Sequence, residues 1–501
     1  MRFAAGSAMT VFLLTGCMVG PKYHAPSPLP TATAPPVTYK ESPTQFPDTD
    51  GWKVAQPQDA MLHGKWWEIY GDPELNALEE KLNIDNQSIK QFFENFMEAR
   101  TLIAEARSQL YPTVAIGPSY SRSRSSSNLG VSGTANPGHE SSLGSLPADI
   151  SWAPDLWGKV RNTIHEQQYN AQLSAADLEN EKLTEQASLA EFFFEIRGQD
   201  ALQKLLDDTV VADNKALEYA QAQYDTGIGD RISVVEAQTT LQSVQSQAIN
   251  LGVARAQFEH AIAVLVGANP SQFSIPVKPL LTNSPAIPIG MPSALLERRP
   301  DIAGAERTLA AANAEIGIAY AAYYPTLTLS ASGGFESSTW KHLFDWPSRV
   351  WSIGPSVSET VYDGGLRRAT VNQFIATYNG DVASYRQTVL TAFQQVEDNL
   401  AAVRLLSQQI LKQQEATKSA EEGLELEMAR YQTGVDPYLL VVTAQTTLLT
   451  NQQTLATLHV MEMTSSVMLI EALGGGWDRT QLPTPADVSK KMDKSETVIQ
   501  Q

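Results

Sequence analysis

The sequence predicts a mainly α-helical protein with a small transmembrane β part, built from two internal structural repeats. Residues 224–241 read YDTGIGDRISVVEAQTTL, and residues 431–448, 207 positions later, read YQTGVDPYLLVVTAQTTL. A proline-free stretch of 67 residues precedes each motif, from Gly158 to Tyr224 and from Gly365 to Tyr431. Two pairs of short segments instead alternate apolar with small polar residues. Long helices joined by a few β-strands, all present twice, account for these observations.

The first 17 residues, MRFAAGSAMTVFLLTGC, contain one basic residue, an apolar run and Leu14-Thr15-Gly16 before Cys17, the only cysteine of the chain. They resemble a lipoprotein signal peptide over residues 1–16, after which Cys17 would carry covalent lipid. A plain secretory leader that happens to contain a cysteine is the alternative. Met18 follows in place of an aspartate, which favours delivery to the outer membrane.

Composition divides the rest of the chain. Residues 17–72 are rich in proline and predict an extended tether behind the acylated cysteine. A first repeat over 73–267, a linker over 268–299 and a second repeat over 300–473 come next. Residues 474–501 are polar and predict a loosely held tail. The net charge of −19 argues against binding to nucleic acid.

Helical periodicity is strongest in the second proline-free stretch. Apolar residues recur once per helical turn from Phe374 to Ile410, which predicts a continuous packing seam. Shorter helices are predicted at Glu74–Leu110, Arg231–Val266, Pro300–Tyr323 and Tyr438–Leu473. Two short helices can stack end to end beside one long helix. The RRPD motif ending at Asp301 is explained by a helix that begins at Pro300.

Strands are predicted near residues 113–121, 146–154, 326–335 and 350–361. Each alternates apolar with small polar side chains, as a strand facing lipid on one side and water on the other requires. Soluble sandwich strands can show the same alternation. The long polar connections inside each pair favour a membrane barrel.

Four strands cannot close a barrel, and open edges in hydrocarbon leave backbone groups without hydrogen bonds. Two copies would supply eight strands, whose interior side chains normally fill. Three copies would supply twelve strands and leave a lumen. The sequence therefore predicts a homotrimer.

Residues 287–334, IPIGMPSALLERRPDIAGAERTLAAANAEIGIAYAAYYPTLTLSASGG, closely resemble the signature of the outer-membrane factor lipoproteins of tripartite efflux systems, the TolC-like and NodT-type family. ALGGGW at 472–477 adds to the likeness. The resemblance implies a long α-helical barrel in the periplasm, continued by a 12-stranded β-barrel in the bacterial outer membrane and shared by three protomers.

The resemblance also implies a function. The protein would be a passive exit duct for small molecules delivered by an inner-membrane pump through a periplasmic adaptor protein. Likeness to NodT-type members favours a proton-driven pump. A duct for type I protein secretion and a helical scaffold lipoprotein without a channel are the alternatives.

By resemblance, two tight turns form the periplasmic tip of each protomer. Adaptor docking falls on Thr226, Gly227, Thr433 and Gly434, and the gate includes Tyr431 with Asp436 nearby. Many relatives carry an inward aspartate at the position of Thr443, and some at that of Leu440, so a Leu439/Leu440 constriction with weaker cation selectivity is expected. Glu236, the repeat mate of Thr443, would supply compensating charge or be a solvated helix residue.

Enzymatic function is not predicted. The seven histidines lack metal-ligand spacing, and the chain contains no nucleophile elbow or phosphate loop. We expect no metal and no cofactor apart from the covalent lipid on Cys17.

Overall fold

The computed structural model describes residues 18–29, 39–41, 64–126, 140–280, 285, 287 and 295–490. The predicted signal peptide, its cleavage site and Cys17 lie outside the described residues. So do residues 127–139 of the first interstrand connection and residues 491–501 of the predicted tail.

Helices account for most of the described chain. In chain order they are α1 (Pro73–Asp85), α2 (Gln87–Ser108), α3 (Lys159–Asp225), α4 (Arg231–Leu265), α5 (Leu295–Arg298), α6 (Pro300–Ala321), α7 (Leu366–Gln432), α8 (Tyr438–Ala472) and α9 (Pro485–Val488). Short 3-10 helices lie at Trp66–Tyr70, Pro270–Gln272, Trp340–His342, Trp346–Ser348 and Arg479–Gln481. Both α3 and α7 have 67 residues, and both α4 and α8 have 35. The repeat inferred from the turn motifs therefore extends over all four helices.

The two long helices begin with the same local structure. Gly158 and Gly365, at their N-cap positions, have φ angles of 79° and 94°, a left-handed conformation that a residue with a Cβ adopts only with strain. An upstream aspartate then accepts a first-turn amide, at 3.2 Å for Asp155 and at 3.1 Å for Asp363. Glycine and aspartate together fix where each long helix begins.

The described strands form one antiparallel sheet. They are β1 (Thr113–Ile116), β2 (Ser119–Arg124), β3 (Glu140–Trp152), β4 (Thr326–Ser337) and β5 (Arg349–Ser358). On one side of β3 lie β1 and β2, and on its other side lies β4, which pairs with β5. Four lengths of extended chain cross the sheet, and its free edges are β1–β2 and β5.

Some strand bounds differ from the prediction. The strand predicted over 113–121 is divided at Gly117 and Pro118, because proline has no N–H for the ladder. The next strand begins at Glu140 rather than near 146, and β5 ends at Ser358 rather than 361. The Arg122 guanidinium donates to the Glu140 carboxylate at 2.9 Å, and this cross-strand pair extends the ladder into the expected loop.

The predicted alternation gives the sheet two different faces. In the β4–β5 register, Leu327 lies opposite Val357 and Ala331 opposite Ile353, all on one face. The other face carries small polar residues: Thr326, Thr328, Ser330, Ser332, Ser352, Ser356 and Ser358. One face of the sheet is therefore suited to hydrocarbon and the other to water.

The apolar seam predicted along α7 is buried against two shorter helices. Val389 packs in a cluster with Leu309 of α6, and Val396 packs in the next cluster with Leu469 of α8. These shorter helices stack end to end beside α7, as predicted. Dispersion and burial of apolar surface thus hold the second repeat together along most of its length.

The largest core cluster lies midway along α3, where α1, α4 and α8 meet it. It contains Trp66, Phe193, Ile262 and Val467. Next to it, α3 and α8 make a close contact at Gly198. A Cβ added to Gly198 would lie 2.3 Å from Cγ2 of Val460, so this approach requires glycine.

One long helix predicted over Glu74–Leu110 is instead the pair α1 and α2, which meet at Asn86. The backbone of Asn86 is extended, with φ −59° and ψ 129°. Its Oδ1 accepts the N–H of Ile89 at 2.9 Å and caps α2, while its Nδ2 donates to the carbonyl of Leu265 at 2.9 Å. A tertiary contact to the end of α4 therefore stabilises the break.

The prediction of a loosely held tail is wrong for residues up to Lys490. Val488 is buried in a cluster with Ile103 of α2. Gln172 donates to the carbonyl of Pro483 at 2.7 Å, and Gln168 donates to the Ser489 hydroxyl at 2.8 Å. A polar tail can dock in this way because α3 supplies side-chain amides to its backbone and hydroxyl groups.

The described parts of the predicted tether pack on the helices, and they include the 3-10 helix Trp66–Tyr70 instead of extended chain throughout. The Tyr23 hydroxyl donates to Glu306 of α6 at 2.7 Å. Tyr39 is buried, and the backbone N–H of Lys40 donates to Glu397 of α7 at 2.7 Å. Tyr23, Tyr39 and Lys40 therefore contact helices of the second repeat.

Candidate channel tip

The turns that join α3 to α4 and α7 to α8 lie at the same end of the helical body. Gly227 and Gly434 have φ angles of 74° and 75°, which a helix-terminating left-handed residue requires. Thr226 and Thr433 each return a hydroxyl to the carbonyl four residues earlier, at 2.9 Å and 3.1 Å. All four residues are exposed, so the two turns offer the same surface twice.

The two turns differ in the aspartate that comes after the glycine. Asp230 is the N-cap of α4 and accepts the N–H of Ser233 at 2.8 Å, which lowers the pKa of its carboxyl. The N-cap of α8 is Pro437, which offers no side-chain oxygen. Asp436 instead forms an ion pair with Arg430, and the hydrogen bond from this guanidinium lowers the pKa of Asp436.

Tyr431 connects the two repeats at the tip. Its hydroxyl donates to Oε1 of Gln223 on α3 at 2.7 Å. Its ring centroid lies 5.1 Å from that of Tyr438 and 6.1 Å from that of Tyr219. Burial raises the pKa of Tyr431, so its hydroxyl remains a donor at neutral pH. The repeat mate, Tyr224, is exposed and lies beside the Arg231 guanidinium instead.

The other predicted gate residues occupy the first two turns of α8 and α4. Leu439 and Leu440 are 55% and 41% exposed. Thr443 is also exposed, and its hydroxyl donates to the carbonyl of Leu439 at 2.9 Å. Glu236 is half-buried on α4, in the other repeat. The leucines and the threonine thus share a surface at the start of α8. Glu236 belongs to α4 of the other repeat, and its charge contributes to raising the pKa of Tyr438.

Two tip residues were not predicted from the sequence. Gln223 immediately precedes a motif tyrosine, and only the fold shows that it faces Tyr431 of the other repeat. Asp213 of α3 is 3% exposed, its Oδ2 has no hydrogen-bond partner among the described residues, and burial raises its pKa to about 6. Burial raises the pKa of Tyr438 to about 12, and the charge of Asp213 contributes to this shift. A buried carboxyl with a raised pKa therefore lies inside the tip.

The described parts of the chain offer neither a metal site nor a membrane-spanning helix. No group of three or more histidine, cysteine, aspartate or glutamate side chains in these parts of the chain is placed to hold a metal ion. Among the helices that the structure describes, none has an apolar stretch long enough to cross a bilayer.

The model of the outer membrane efflux protein family matches residues 80–268 and 291–475, the greater part of both repeats. The chain belongs to this family. It is 29% identical over 472 residues to the antibiotic efflux pump outer membrane protein ArpC of Pseudomonas putida, with 94% of this chain and 95% of ArpC covered. It is 30% identical over 500 residues to the solvent efflux pump outer membrane protein SrpC of the same species, with 96% and 100% covered.

Solved structures of the family agree with the fold. The open state of the Neisseria gonorrhoeae MtrE outer membrane channel superposes with a TM-score of 0.78 at 25% identity, over 92% of this chain and 99% of that one. The resemblance to TolC-like outer-membrane factors is confirmed. The protein is an outer-membrane efflux channel, in which the two repeats supply the helices and the sheet.

Proposed function

We propose that three copies of this outer membrane efflux protein form a single duct through the outer membrane and the periplasm. The observation that carries the proposal is the sheet with two free edges and one apolar face. Such edges are costly in hydrocarbon, and pairing β5 of one protomer with β1–β2 of the next satisfies them. Three sheets give twelve strand crossings, enough for a water-filled lumen lined by the serine and threonine face.

The helices continue this duct on the periplasmic side. A helix of 67 residues spans about 100 Å at 1.5 Å per residue, and four long or stacked helical lengths per protomer give a barrel of twelve. Substrate passes through this barrel passively, and we propose no catalytic role for the chain. Specificity then comes from a pump in the inner membrane, which we propose to be proton-driven.

We further propose that Cys17 carries the lipid anchor. The residues after it run along the membrane-proximal end of the helices. The backbone N–H of Val19 donates to the carbonyl of Trp157 at 3.1 Å, and Asn162 at the start of α3 donates to the carbonyl of Val19 at 3.1 Å. Acyl chains on Cys17 would reach the inner face of the outer membrane.

The turns with Gly227 and Gly434 are the proposed docking surface for a periplasmic adaptor. They are exposed, lie farthest from the sheet and occur six times in a trimer. The pore closes beside them through Leu439 and Leu440 and through the contacts of Tyr431. Leucine at 440 and Thr443 cannot form the carboxylate ring that attracts cations, so weaker cation selectivity is expected there.

Transport in whole cells tests the proposal. Deleting the gene should raise the intracellular level of a fluorescent efflux substrate, and the wild-type chain should restore the low level. Gly434→Val places a β-branched residue at φ 75° in the docking turn. We expect this variant to conduct ions in planar bilayers but to fail in restoring efflux. A wild-type protein that conducts in bilayers yet never lowers accumulation would instead be a general pore.

A further inference from the structure

The apolar face of the sheet ends in a cluster of aromatic rings and cations at the end away from the helices. Its residues are Tyr120, Arg122, Arg124, Trp340, Lys341, Phe344, Trp346, Arg349 and Trp351, and we call them the distal rim. The strand β4 comes directly after α6 and β5 leads towards α7, so the β4–β5 connection at 338–348 lies opposite the helices. In the proposed duct, this end faces the outer leaflet.

Register places the strand residues of the rim on the lipid-facing side of the sheet. Arg349 pairs with Phe335, which is in the same row as Leu327. Trp351, two residues further along, is therefore on the same face, and it is 79% exposed. In the β2–β3 pair, Tyr120 lies opposite Gly144 and Arg122 lies opposite Ser142. These residues are on the same face as Leu146, which pairs with Phe335. On this face, the apolar side chains are therefore followed by arginine side chains towards the end of the sheet away from the helices.

The rim has a defined structure. Leu343, within the connection, has a buried side chain. The His342 ring is hydrogen-bonded to the Asp345 carboxylate at 2.6 Å. The Ser348 hydroxyl donates to the carbonyl of His342 at 2.6 Å. The guanidinium of Arg349 lies over the Trp346 ring, and its Nε donates to the carbonyl of Trp346 at 2.9 Å. These two contacts hold the side chain of Arg349 in place, and the residue is exposed.

The charge of the rim is positive. Arg122 and Arg124 share a single carboxylate, that of Glu140. Lys341 and Arg349 are exposed, and no described carboxylate lies within ion-pair distance of either. Four cations of the rim therefore lie near two described carboxylates, those of Glu140 and Asp345, while Glu336 projects from the opposite face of the sheet. The sequence of the connection at 125–139 adds no aspartate or glutamate.

We infer that the distal rim binds a phosphorylated glycolipid of the outer leaflet. The phosphates of such a lipid would meet Lys341 and Arg349, because Arg and Lys form charge-assisted hydrogen bonds with phosphate. Its acyl chains would lie against Trp351 and Phe335. A soluble anion would use the cations but not the aromatic rings beside them, whereas a lipid uses both. The inference rests on the proposed duct, which sets the orientation of the sheet.

Lipid retention by the detergent-purified protein tests the inference. The probes are bis-phosphorylated lipid A and its fully dephosphorylated form, measured by native mass spectrometry and by binding titration. We expect the phosphorylated lipid to bind the wild-type protein, and Lys341→Ala/Arg349→Ala to bind it at least about tenfold more weakly. Lys412→Ala, which removes an exposed cation from the helical part, is the matched control and should bind as wild type.

Three results would overturn the inference: equal binding of the two lipids, unchanged binding by the double variant, or displacement of lipid A by millimolar inorganic phosphate. The last would identify a site for free anions. Arg349→Lys keeps the charge but loses the planar contact with Trp346, and should weaken binding less than Arg349→Ala. Channel conductance is measured on every variant. A protein that conducts but retains no lipid would refute the rim and leave the duct intact, whereas a protein that never inserts would refute the duct.

Discussion

Replacing Tyr431 with phenylalanine removes the one described side-chain hydrogen bond that joins the long helices of the two repeats at the tip. The ring and its contacts with Tyr438 and Tyr219 remain. A partly buried hydrogen bond of this kind contributes a net free energy of about 0.5–1.5 kcal/mol. If the bond is made only in the closed tip, Tyr431→Phe shifts the closed-to-open equilibrium by about two- to tenfold towards the open state.

Single-channel recordings in planar bilayers measure this shift as open probability. The matched control is Tyr224→Phe, because Tyr224 is the repeat mate of Tyr431 but makes no such bond to the described part of the other repeat. It should leave the open probability unchanged. If Tyr431→Phe behaves as wild type while Tyr431→Ala opens the channel, ring packing rather than the hydroxyl holds the tip. If both behave as wild type, the contact does not contribute to closure.

Three further predictions concern the pore, the helix contact and the buried acid. Leu440→Ser should raise single-channel conductance, since the smaller polar side chain widens and wets the proposed constriction; an unchanged conductance would locate the constriction elsewhere. Gly198→Ala should lower the stability of the folded protein in denaturant titrations, because overpacking against Val460 costs about 1–3 kcal/mol while the gain in helix propensity is only about 1 kcal/mol. Adding Val460→Ala should recover most of that loss, and strictly additive effects would show that the two residues do not touch. Burial raises the pKa of Asp213 from its ordinary value of 3.8 to about 6, so the stability of the fold is greatest with this carboxyl protonated and falls as the pH rises from about 4 to about 6. Asp213→Asn should therefore remove this part of the pH dependence of the free energy of unfolding, measured in denaturant titrations between about pH 4 and about pH 7, and an unaltered pH profile would contradict this role.

Local sequence determines much of the helical fold. The long helices begin within one residue of the predicted starts because Gly158 and Gly365 each provide a left-handed N-cap, and neither helix contains a proline. The strands could be predicted because apolar and small polar residues alternate with a period of two, which differs from the helical period. The turns could be predicted because a Thr-Gly pair follows each long helix in the sequence. Gly227 and Gly434 supply the left-handed backbone that ends these helices.

Other features depend on contacts between residues distant in the chain. The break at Asn86 is stabilised by the carbonyl of Leu265, which no local pattern indicates. Docking of the tail depends on Gln168 and Gln172, whose side chains look like any other polar residues of a helix. At the tip, Gln223 was missed because its partner, Tyr431, belongs to the other repeat.

In the proposed assembly, three acylated chains form one duct. The most direct measurement is the native mass of the detergent-extracted protein, including the mass added at Cys17. We expect a mass of three copies of the mature chain, each carrying covalent lipid. A stable monomer without lipid would contradict the closed barrel and the anchor together.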